Sequence, residues 1–359
     1  MTHSDSPAGI KEIAKKLGVS IGTVDRALHG RAGISDHTRK RVLQVAAELN
    51  YRPNLSARNL KLSKRLRIGV FLPEEIALFF DLMRSGIREA AARAGLSVDL
   101  DFHSFPRLGE GDVEALEAAA WNEYDGIILA PGGAAHLSNF FRQARYRPPT
   151  VFVASDAPRI DRLSSVTVDA SVSGAIAADL LGRLILQPGK VAVITGDRRI
   201  HDHSEKLRGF AGALATTAEH LSLLPPIESH EKPEDAYESA LLLFRKHKNI
   251  SGVYISTANS LPVLKAAEER KLLGRIKVVT TDLFPEVARL IAEDQISCSL
   301  YQRPYTQGRL AFELLHAHLS RSEKIRPAVR LAPHIVLRSN LRLFTESADL
   351  QESDRDFAL

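Results

Sequence analysis

The sequence contains a single cysteine, Cys298, and no long apolar run, and each absence excludes a class of protein. One cysteine cannot form a disulfide within the chain, which suits a reducing compartment rather than a disulfide-stabilised secreted scaffold. No segment approaches the ~20 consecutive apolar residues of a transmembrane helix. The N-terminal stretch MTHSDSPAGIKEIAKK also lacks the apolar core of a secretory signal. We therefore expect a cytoplasmic protein without a membrane partner.

The composition is that of a globular protein, but the charge is distributed unevenly. The 359 residues are 44% hydrophobic and 25% charged, a length and balance typical of two or three domains. Residues 1–67 contain fourteen Lys or Arg and five Asp or Glu, a net charge of +9. Because the whole chain carries +5, residues 68–359 carry −4. A basic N-terminal module attached to a mildly acidic body is typical of proteins that bind nucleic acid phosphates.

The basic module has apolar residues at helical spacing in three short segments. These residues are Ile10, Ile13, Ala14 and Leu17; Val24, Ala27 and Leu28; and Val42, Leu43, Val45, Ala46 and Leu49. Gly18 suits the end of the first helix, and Ser20 and Ser35 suit the N-caps of the second and third. Two short helices joined by a tight turn, with a third closing the core, predict a helix-turn-helix whose second helix enters the major groove of DNA.

Residues 10–60 resemble the DNA-binding segment of the LacI/GalR family of bacterial transcription regulators. The resemblance rests on VS-x-x-TV-x-R in the second helix, TR-x-x-V in the third, and LNY-x-PN-x-x-AR-x-L after it. It implies base contacts from Ile21, Gly22 and Arg26, and contacts mostly to phosphates from the residues at three further positions. Those three residues are Ser20, Thr23 and His29.

Four positions of the predicted reading helix matter for the operator sequence. Arg26 can pair with the O6 and N7 atoms of guanine. Ile21 offers only apolar contact, for instance to a thymine methyl group, and Gly22 has no side chain, whereas the family often has larger or polar residues at these two positions. Asp25 stands where serine is common. The preferred operator sequence therefore stays open.

The segment after the third helix is predicted to be a hinge helix. Pro53 and Asn54 suit a helix start, and LSARNL can continue it. In the family, such a helix forms on operator DNA, packs against its dimer mate and inserts a leucine into the minor groove. Leu60 occupies that position and Ala57 lies on the same face. An apolar wedge of this kind unstacks and kinks the duplex.

From Arg67 onward, short apolar runs alternate with helical stretches. The runs are 68–72, 126–130, 150–155, 190–195, 252–256 and 277–282, and the helical stretches are 80–94, 112–122, 171–186, 205–216, 233–247 and 305–319. Repeated β-α units predict parallel sheets with helices on both faces. The order resembles the periplasmic-binding-protein-like core that follows the helix-turn-helix in the same family.

The expected fold class is an all-α helix-turn-helix domain followed by an α/β, two-lobed, Rossmann-like domain with parallel sheets. We expect the DNA-binding domain at 8–52, the hinge and linker at 53–66, the effector-binding domain at 67–345 and a tail at 346–359. One lobe is expected to comprise about 67–169 and 300–328, and the other about 170–299 and 329–345.

In folds of this kind, ligands bind beyond the carboxyl ends of the strands. Polar or aromatic residues just after predicted strands are therefore the candidates for an effector site. They are Phe79, Phe80, Asp81, Asp156, His203, Lys206, Asn259, Asp282 and Gln302. Lys206 stands where the family usually has arginine. Carboxylates and amides suit hydroxyl groups, and the family resemblance favours a sugar or sugar derivative, with a nucleobase as the alternative.

Other functions are less well supported. The residues His201 and His203 are not spaced like the i, i+4 pair of a zinc helix, so neither a metal site nor a cofactor is predicted. QPGK lacks the Ser or Thr of a phosphate-binding loop, GGAAH is not G-x-G-x-x-G, and no nucleophile has a base at a recognisable spacing, so no enzyme is predicted. A solute-binding transport protein would share the body fold but not the basic module.

The sequence therefore predicts an effector-responsive transcription regulator, expected to be a repressor. We expect a cytoplasmic, nucleoid-associated homodimer on palindromic double-stranded operator DNA. The tail ESADLQESDRDFAL contains no leucine heptad, so no coiled-coil tetramer is expected.

Overall fold

A computed structural model describes residues 10–28, 33–49, 65–95, 98–144, 146–321 and 323–345. The chain divides into two compact units, of which the first contains the N-terminal helices and the second most of the chain from Arg65 onward.

The N-terminal unit contains three helices, α1 (Ile10–Leu17), α2 (Ile21–Leu28) and α3 (Asp36–Glu48). The N–H of Thr23 donates to Oγ of Ser20 at 3.1 Å, and the N–H of Thr38 donates to Oγ of Ser35 at 3.2 Å, which confirms both predicted caps. Gly18 has a φ of +65°, as a helix stop requires. The buried core consists of Ile13, Ala14, Val24, Ala27, Val42 and Ala46.

Leu43 is an error in the predicted core of this unit. Its side chain is 47% exposed. Val42, Val45, Ala46 and Leu49 follow the i, i+3, i+4, i+7 spacing of one helix face, whereas the residue after Val42 lies about 100° further around the helix.

The α/β unit contains two parallel sheets, each with helices between its strands. Lobe 1 contains β1 (Leu66–Pro73), α4 (Ala77–Ala94), β2 (Val98–Phe105), α5 (Asp112–Ala118), β3 (Gly126–Leu129), α6 (Ala134–Gln143), β4 (Thr150–Val153) and β5 (Ser164–Val168), with a short 3₁₀ turn at Trp121–Glu123. Lobe 2 contains α7 (Ala170–Leu184), β6 (Gly189–Thr195), α8 (His201–Thr217), β7 (Leu221–Leu223), β8 (Ile227–Glu228), α9 (Pro233–Lys246), β9 (Ile250–Ile255), α10 (Leu261–Glu269), β10 (Lys277–Thr281), α11 (Pro285–Ala292) and β11 (Cys298–Tyr301). The last elements are α12 (Pro304–Arg321), β12 (Val329–Leu331), β13 (His334–Val336) and α13 (Arg342–Thr345).

The strand order separates the two lobes. The lobe 1 sheet has the order β12-β5-β4-β3-β1-β2 and is parallel throughout. The lobe 2 sheet has the order β13-β11-β10-β9-β6-β7, with β8 also paired to β6, and only the β11–β13 pair is antiparallel. The central strands are buried on both faces, which explains their continuous Val, Ile and Leu runs.

The chain crosses between the lobes at three places. The first crossing lies between β5 and α7, where the side chain of Asp169 caps α7 by accepting from the N–H of Val172 at 3.0 Å. The predicted boundaries at 300 and 329 each fall a few residues too early. Strand β11 runs to Tyr301 in the lobe 2 sheet, and β12, up to Leu331, pairs with β5 in the lobe 1 sheet. The apolar run ISCSLY and the short β12 carry no signal that tells which sheet they join.

Candidate functional site

Helix α2 presents the predicted base-contacting residues to solvent. Ile21, Gly22 and Arg26 are exposed, whereas Val24 and Ala27 of the same helix are buried in the core. Ile21 is a large apolar side chain that is 50% exposed. Ser20 and Thr23 lie at the start of the helix, where their hydroxyls are 2.9 Å apart. His29, Asn54, Ala57 and Leu60 lie outside the described residues.

A cavity lies between the two lobes, at the carboxyl ends of their strands. Its lobe 1 wall is formed by Ile76, Phe79, Phe80, Leu108, Ala154 and Ser155. Its lobe 2 wall is formed by Ile200, Asp202, His203, Lys206, Glu231, Thr257, Ala258 and Gln302. The two walls are in contact, because Oγ of Ser155 accepts a hydrogen bond of 3.3 Å from the N–H of Asp202.

The cavity is small in this arrangement of the lobes. Its volume is about 30 Å³, whereas a water molecule needs about 10–15 Å³ and ligand pockets typically measure about 300–1,000 Å³. The space therefore holds a few water molecules. Any larger ligand requires the lobes to move apart or the side chains of the walls to rearrange.

Lys206 lies at the centre of the lobe 2 wall and is 2% exposed. Its Nζ donates to Oε1 of Gln302 at 2.7 Å and lies 3.5 Å from Oδ2 of Asp202. Gln302 is held in turn by Asp282, whose carboxylate accepts from the backbone N–H of Gln302 at 2.9 Å and from its Nε2 at 2.6 Å. Burial raises the pKa of Asp282 to about 6, although the hydrogen bonds from Gln302 and the charge of Lys206 oppose this shift.

His203 forms a second buried pair with Glu231. Nε2 of the imidazole lies 2.7 Å from Oε1 of Glu231, and Oγ1 of Thr257 donates to the same carboxylate at 2.8 Å. Burial alone would raise the pKa of Glu231, but the adjacent His203 and the hydrogen bond from Thr257 hold it below its usual value. The Glu231 carboxylate is therefore charged, and both His203 and Thr257 contact it.

Two buried atoms of this wall have no hydrogen-bond partner among the described residues. They are Nδ1 of His203 and Oδ2 of Asp202, although the latter lies within ion-pair distance of Lys206. Burial raises the pKa of Asp202, and the charge of Lys206 opposes the shift. Buried polar atoms are normally hydrogen-bonded, so unpaired ones on a cavity wall are available to a ligand.

Five of the predicted effector residues line the cavity: Phe79, Phe80, His203, Lys206 and Gln302. Two others lie behind its wall. Asp282 orients Gln302, and the backbone N–H of Asn259 donates to Oγ1 of Thr257 at 3.0 Å.

The structure does not place Asp81 or Asp156 on the cavity. The carboxylate of Asp81 is 64% exposed and pairs with Arg84, because it lies about 100° around helix α4 from the buried Phe80. Oδ2 of Asp156 accepts from Arg162 and Arg330, each at 2.6 Å. Burial would raise the pKa of Asp156, but these guanidinium groups hold it below its usual value, so this carboxylate joins β4 to β12 within lobe 1.

Sequence reasoning missed Asp202 and Glu231, the two acids of the lobe 2 wall. Asp202 lies one turn before Lys206 in α8, a spacing that predicts an ion pair once the helix is known to begin at His201 rather than near 205. Glu231 follows β8 in a turn where both His230 and Glu231 have positive φ, and no pattern in the sequence predicts this turn.

One group of side chains in the described part of the chain has the composition of a metal site. Ligand atoms of Asp197, Glu228 and His230 lie within 4.8 Å of one another. The Asp197 carboxylate accepts from Nε of Arg199 at 2.9 Å, and the Glu228 carboxylate accepts from the N–H of Arg198 at 2.9 Å. Both carboxylates are therefore engaged by arginine residues.

Two family models match the chain, one for each unit. Residues 9–54 match the model described as bacterial regulatory proteins, lacI family, and residues 68–324 match the model described as periplasmic binding protein domain. The chain therefore has a lacI-family helix-turn-helix domain followed by a periplasmic-binding-protein-like domain. It is a DNA-binding transcriptional regulator controlled by a small-molecule effector.

Similar proteins cover nearly the whole chain. Catabolite control protein A of Streptococcus mutans is 26% identical over 333 residues, which are 89% of this chain and 94% of that protein. The HTH-type transcriptional repressor PurR of Mannheimia succiniciproducens is 22% identical over 93% of this chain and 99% of that protein. GanP, a glucose-galactose binding protein from Geobacillus stearothermophilus, superimposes with a TM-score of 0.69 at 24% identity, covering 77% of this chain and 99% of that one.

Among the helices that the structure describes within residues 10–345, none is both long and apolar enough to cross a bilayer.

Proposed function

We propose that this lacI-family protein is a repressor that binds a palindromic operator as a homodimer and responds to a polyhydroxylated effector held between its lobes. The observation that carries the effector site is two buried atoms on the cavity wall without a hydrogen-bond partner among the described residues, Nδ1 of His203 and Oδ2 of Asp202, of which the latter has only Nζ of Lys206 at 3.5 Å. The similarity to PurR of Mannheimia succiniciproducens, a transcriptional repressor, supports repression. A repressor of chromosomal genes acts in the cytosol, on the nucleoid.

Helix α2 reads the operator in this proposal. The exposed guanidinium of Arg26 pairs with guanine, and exposed Ile21 contacts a thymine methyl group, while Ser20, Thr23 and His29 contact phosphates. The hinge residues Asn54, Ala57 and Leu60 act in the minor groove. Two copies of the chain present two reading helices, which matches the two half-sites of a palindrome.

The walls of the cavity suit a ring compound that carries hydroxyl groups. Phe79 and Phe80 contribute aromatic surface from lobe 1, their ring centroids 5.0 Å apart. Asp202, His203 and Lys206 supply hydrogen-bond acceptors and donors from lobe 2. A sugar has an apolar C–H face and polar hydroxyl edges, so it complements both walls. These buried groups serve binding, and we propose no catalysed reaction.

The small volume of the cavity explains how effector binding is coupled to DNA binding in this proposal. A sugar does not fit within about 30 Å³, so its binding favours a different angle between the lobes. Three chain crossings join the lobes, and a change of angle alters the spacing of the two hinges in a dimer. The ligand shifts the population between two arrangements by its difference in affinity for them, and couplings of about 1–3 kcal/mol are typical.

Operator selection followed by effector titration tests the proposal. A DNA sequence selected from a random library would be labelled, and its affinity measured by fluorescence anisotropy with sugars, polyols and nucleobases. We expect one polyhydroxylated compound to change the affinity by about 5–150-fold. Lys206→Met should abolish that change. Lys277→Met should preserve it, because Lys277 is exposed and lies at the amino end of β10, whereas the cavity lies at the carboxyl ends of the strands.

Two results would contradict the proposal. Failure to select any DNA sequence would contradict sequence-specific DNA binding. A selected operator whose affinity no compound changes would contradict the proposed effector site. The two failures can be told apart because DNA binding and the effector response are measured in successive steps.

A further inference from the structure

The charged groups of the cavity all belong to one wall. The lobe 1 wall consists of apolar and aromatic side chains and the hydroxyl of Ser155. The lobe 2 wall contains the carboxyls of Asp202 and Glu231 together with Lys206 and His203. Asp282 lies directly behind it, bonded to Gln302. The electrostatic character of the site is therefore set by lobe 2.

Carboxyl groups outnumber basic groups once Asp282, directly behind this wall, is counted with it. The three acids are Asp202, Glu231 and Asp282, each no more than 5% exposed, and the two bases are Lys206 and His203. Both bases are already engaged, Lys206 by Gln302 and Asp202, and His203 by Glu231. Neither base is available to a ligand without being shared with an acid.

No arginine lines the cavity within the described part of the chain. Arg162 and Arg330 share the carboxylate of Asp156, and Arg199 pairs with Asp197. Arg303 follows Gln302 in the sequence, but its side chain does not line the cavity. The carboxyl groups at and behind this wall are therefore not offset by a guanidinium group, which is the side chain best suited to phosphate and carboxylate.

We propose that the effector is a neutral or protonated polyhydroxylated compound, and that sugar phosphates and sugar acids are rejected. This inference rests on the proposed effector site and narrows its chemistry. A hydroxyl or ammonium group of the ligand donates to Oδ2 of Asp202. Lys206 donates to a ligand oxygen, and Nδ1 of His203 bonds a further hydroxyl.

Anionic ligands are rejected because placing a negative charge beside buried carboxylates costs free energy. Like charges repel strongly where water is excluded, because the effective dielectric constant is low. Burial already raises the pKa of Asp202 and that of Asp282, because removal from water penalises a negative charge at this wall even beside Lys206. An anionic ligand adds repulsion, whereas a neutral ligand adds none and an ammonium group relieves it.

Sugars with the same ring and different charges test the inference. The full chain would be titrated calorimetrically with glucose, galactose and mannose, and with the 2-amino, uronic acid and 6-phosphate derivative of each. We expect at least one neutral or amino member to bind, with its uronic acid and phosphate derivatives about tenfold weaker or worse.

The outcomes of this titration are decisive. An anionic member that binds as tightly as its neutral parent overturns the inference. Absence of binding by every member overturns the ligand class as well. Binding to the selected operator is measured separately and shows whether the chain binds DNA as proposed.

A variant that removes one buried carboxylate tests whether its charge causes the rejection of anionic sugars. In Asp202→Asn the discrimination against the anionic derivatives should shrink at least threefold, because a buried negative charge is removed. The control is Asp179→Asn, which changes an exposed carboxylate paired with Arg183 on α7 and should leave the ratio unchanged. Equal discrimination by both variants would show that the Asp202 charge does not set selectivity, and thermal melting would verify that both are folded.

Discussion

A Cβ atom built on Gly174 would lie 1.9 Å from the carbonyl oxygen of Lys206. Helices α7 and α8 therefore meet backbone to backbone at the residue that carries the cavity lysine. Gly209, one turn later in α8, makes the reciprocal contact, since its Cβ would lie 1.9 Å from the carbonyl oxygen of Ser171. The position of the Lys206 ammonium thus depends on the absence of two side chains outside the cavity.

The first prediction concerns this contact. Gly174→Ala should destabilise the chain by about 1–3 kcal/mol, because the added methyl group forces the two helices apart. It should also weaken the response to the effector, because Lys206 moves away from Gln302. Urea unfolding and operator binding with and without effector would measure the two effects.

Gly212→Ala is the matched control on the same helix. No atom lies within 4 Å of a Cβ built on Gly212, so alanine there should stabilise α8 by about 0.5–1 kcal/mol. If both variants behaved alike, close packing of α7 on α8 would not be the cause.

The second prediction concerns the pH dependence of stability. Burial raises the pKa of Asp282 to about 6 in the folded chain, compared with about 3.9 for an unperturbed aspartate. The folded state therefore binds this proton more tightly, so the stabilisation is fully present below about pH 4 and is lost as the pH rises through about 6.

Comparison of the wild type with Asp282→Asn isolates this effect. As the pH falls from 7 to 4, the wild type should gain roughly 2–3 kcal/mol of unfolding free energy relative to the variant. Other titrating groups are common to both chains and cancel in the difference. A difference that stays constant over this range would show that Asp282 is not protonated more readily in the folded state.

The positions of strands and caps were accessible from the sequence because their causes are local. A serine followed by a helical pattern is sufficient to predict the cap at Ser20. Residues that directly follow a buried strand reach one edge of a parallel sheet, which is why Gln302, directly after β11, was found among the cavity residues, as was Phe79 in the first turn of the helix after β1.

The errors have causes that are remote in the sequence. Asp156 follows a strand as Gln302 does, but Arg330, 174 residues later, neutralises it within lobe 1. Glu231 reaches the cavity through two consecutive residues with positive φ, and glutamate is not a residue type that favours this conformation. Charge pairing across the fold and unusual backbone geometry therefore limit what a single sequence reveals.

The third prediction concerns the apolar contact of the reading helix. If Ile21 packs against a thymine methyl group, replacing that thymine by uracil in the selected operator should cost about 1 kcal/mol of binding free energy. Ile21→Ala should lose a similar amount, and the uracil effect should vanish in that variant. Fluorescence anisotropy on the four combinations measures the coupling, and independent effects of the two changes would exclude the contact.

The fourth prediction concerns the hinge leucine, which lies outside the described residues. Leu60→Ala should weaken binding to the selected operator by about 1–2 kcal/mol, roughly tenfold, because a wedge that kinks a specific base step is shortened. Binding to random DNA depends on phosphate contacts and should change less than about twofold. Leu43→Ala, which truncates an exposed leucine of α3, is the matched control and should leave both affinities unchanged. Equal losses of Leu60→Ala on operator and random DNA would exclude the wedge, since a contact made only in the kinked complex cannot contribute to binding of undistorted DNA.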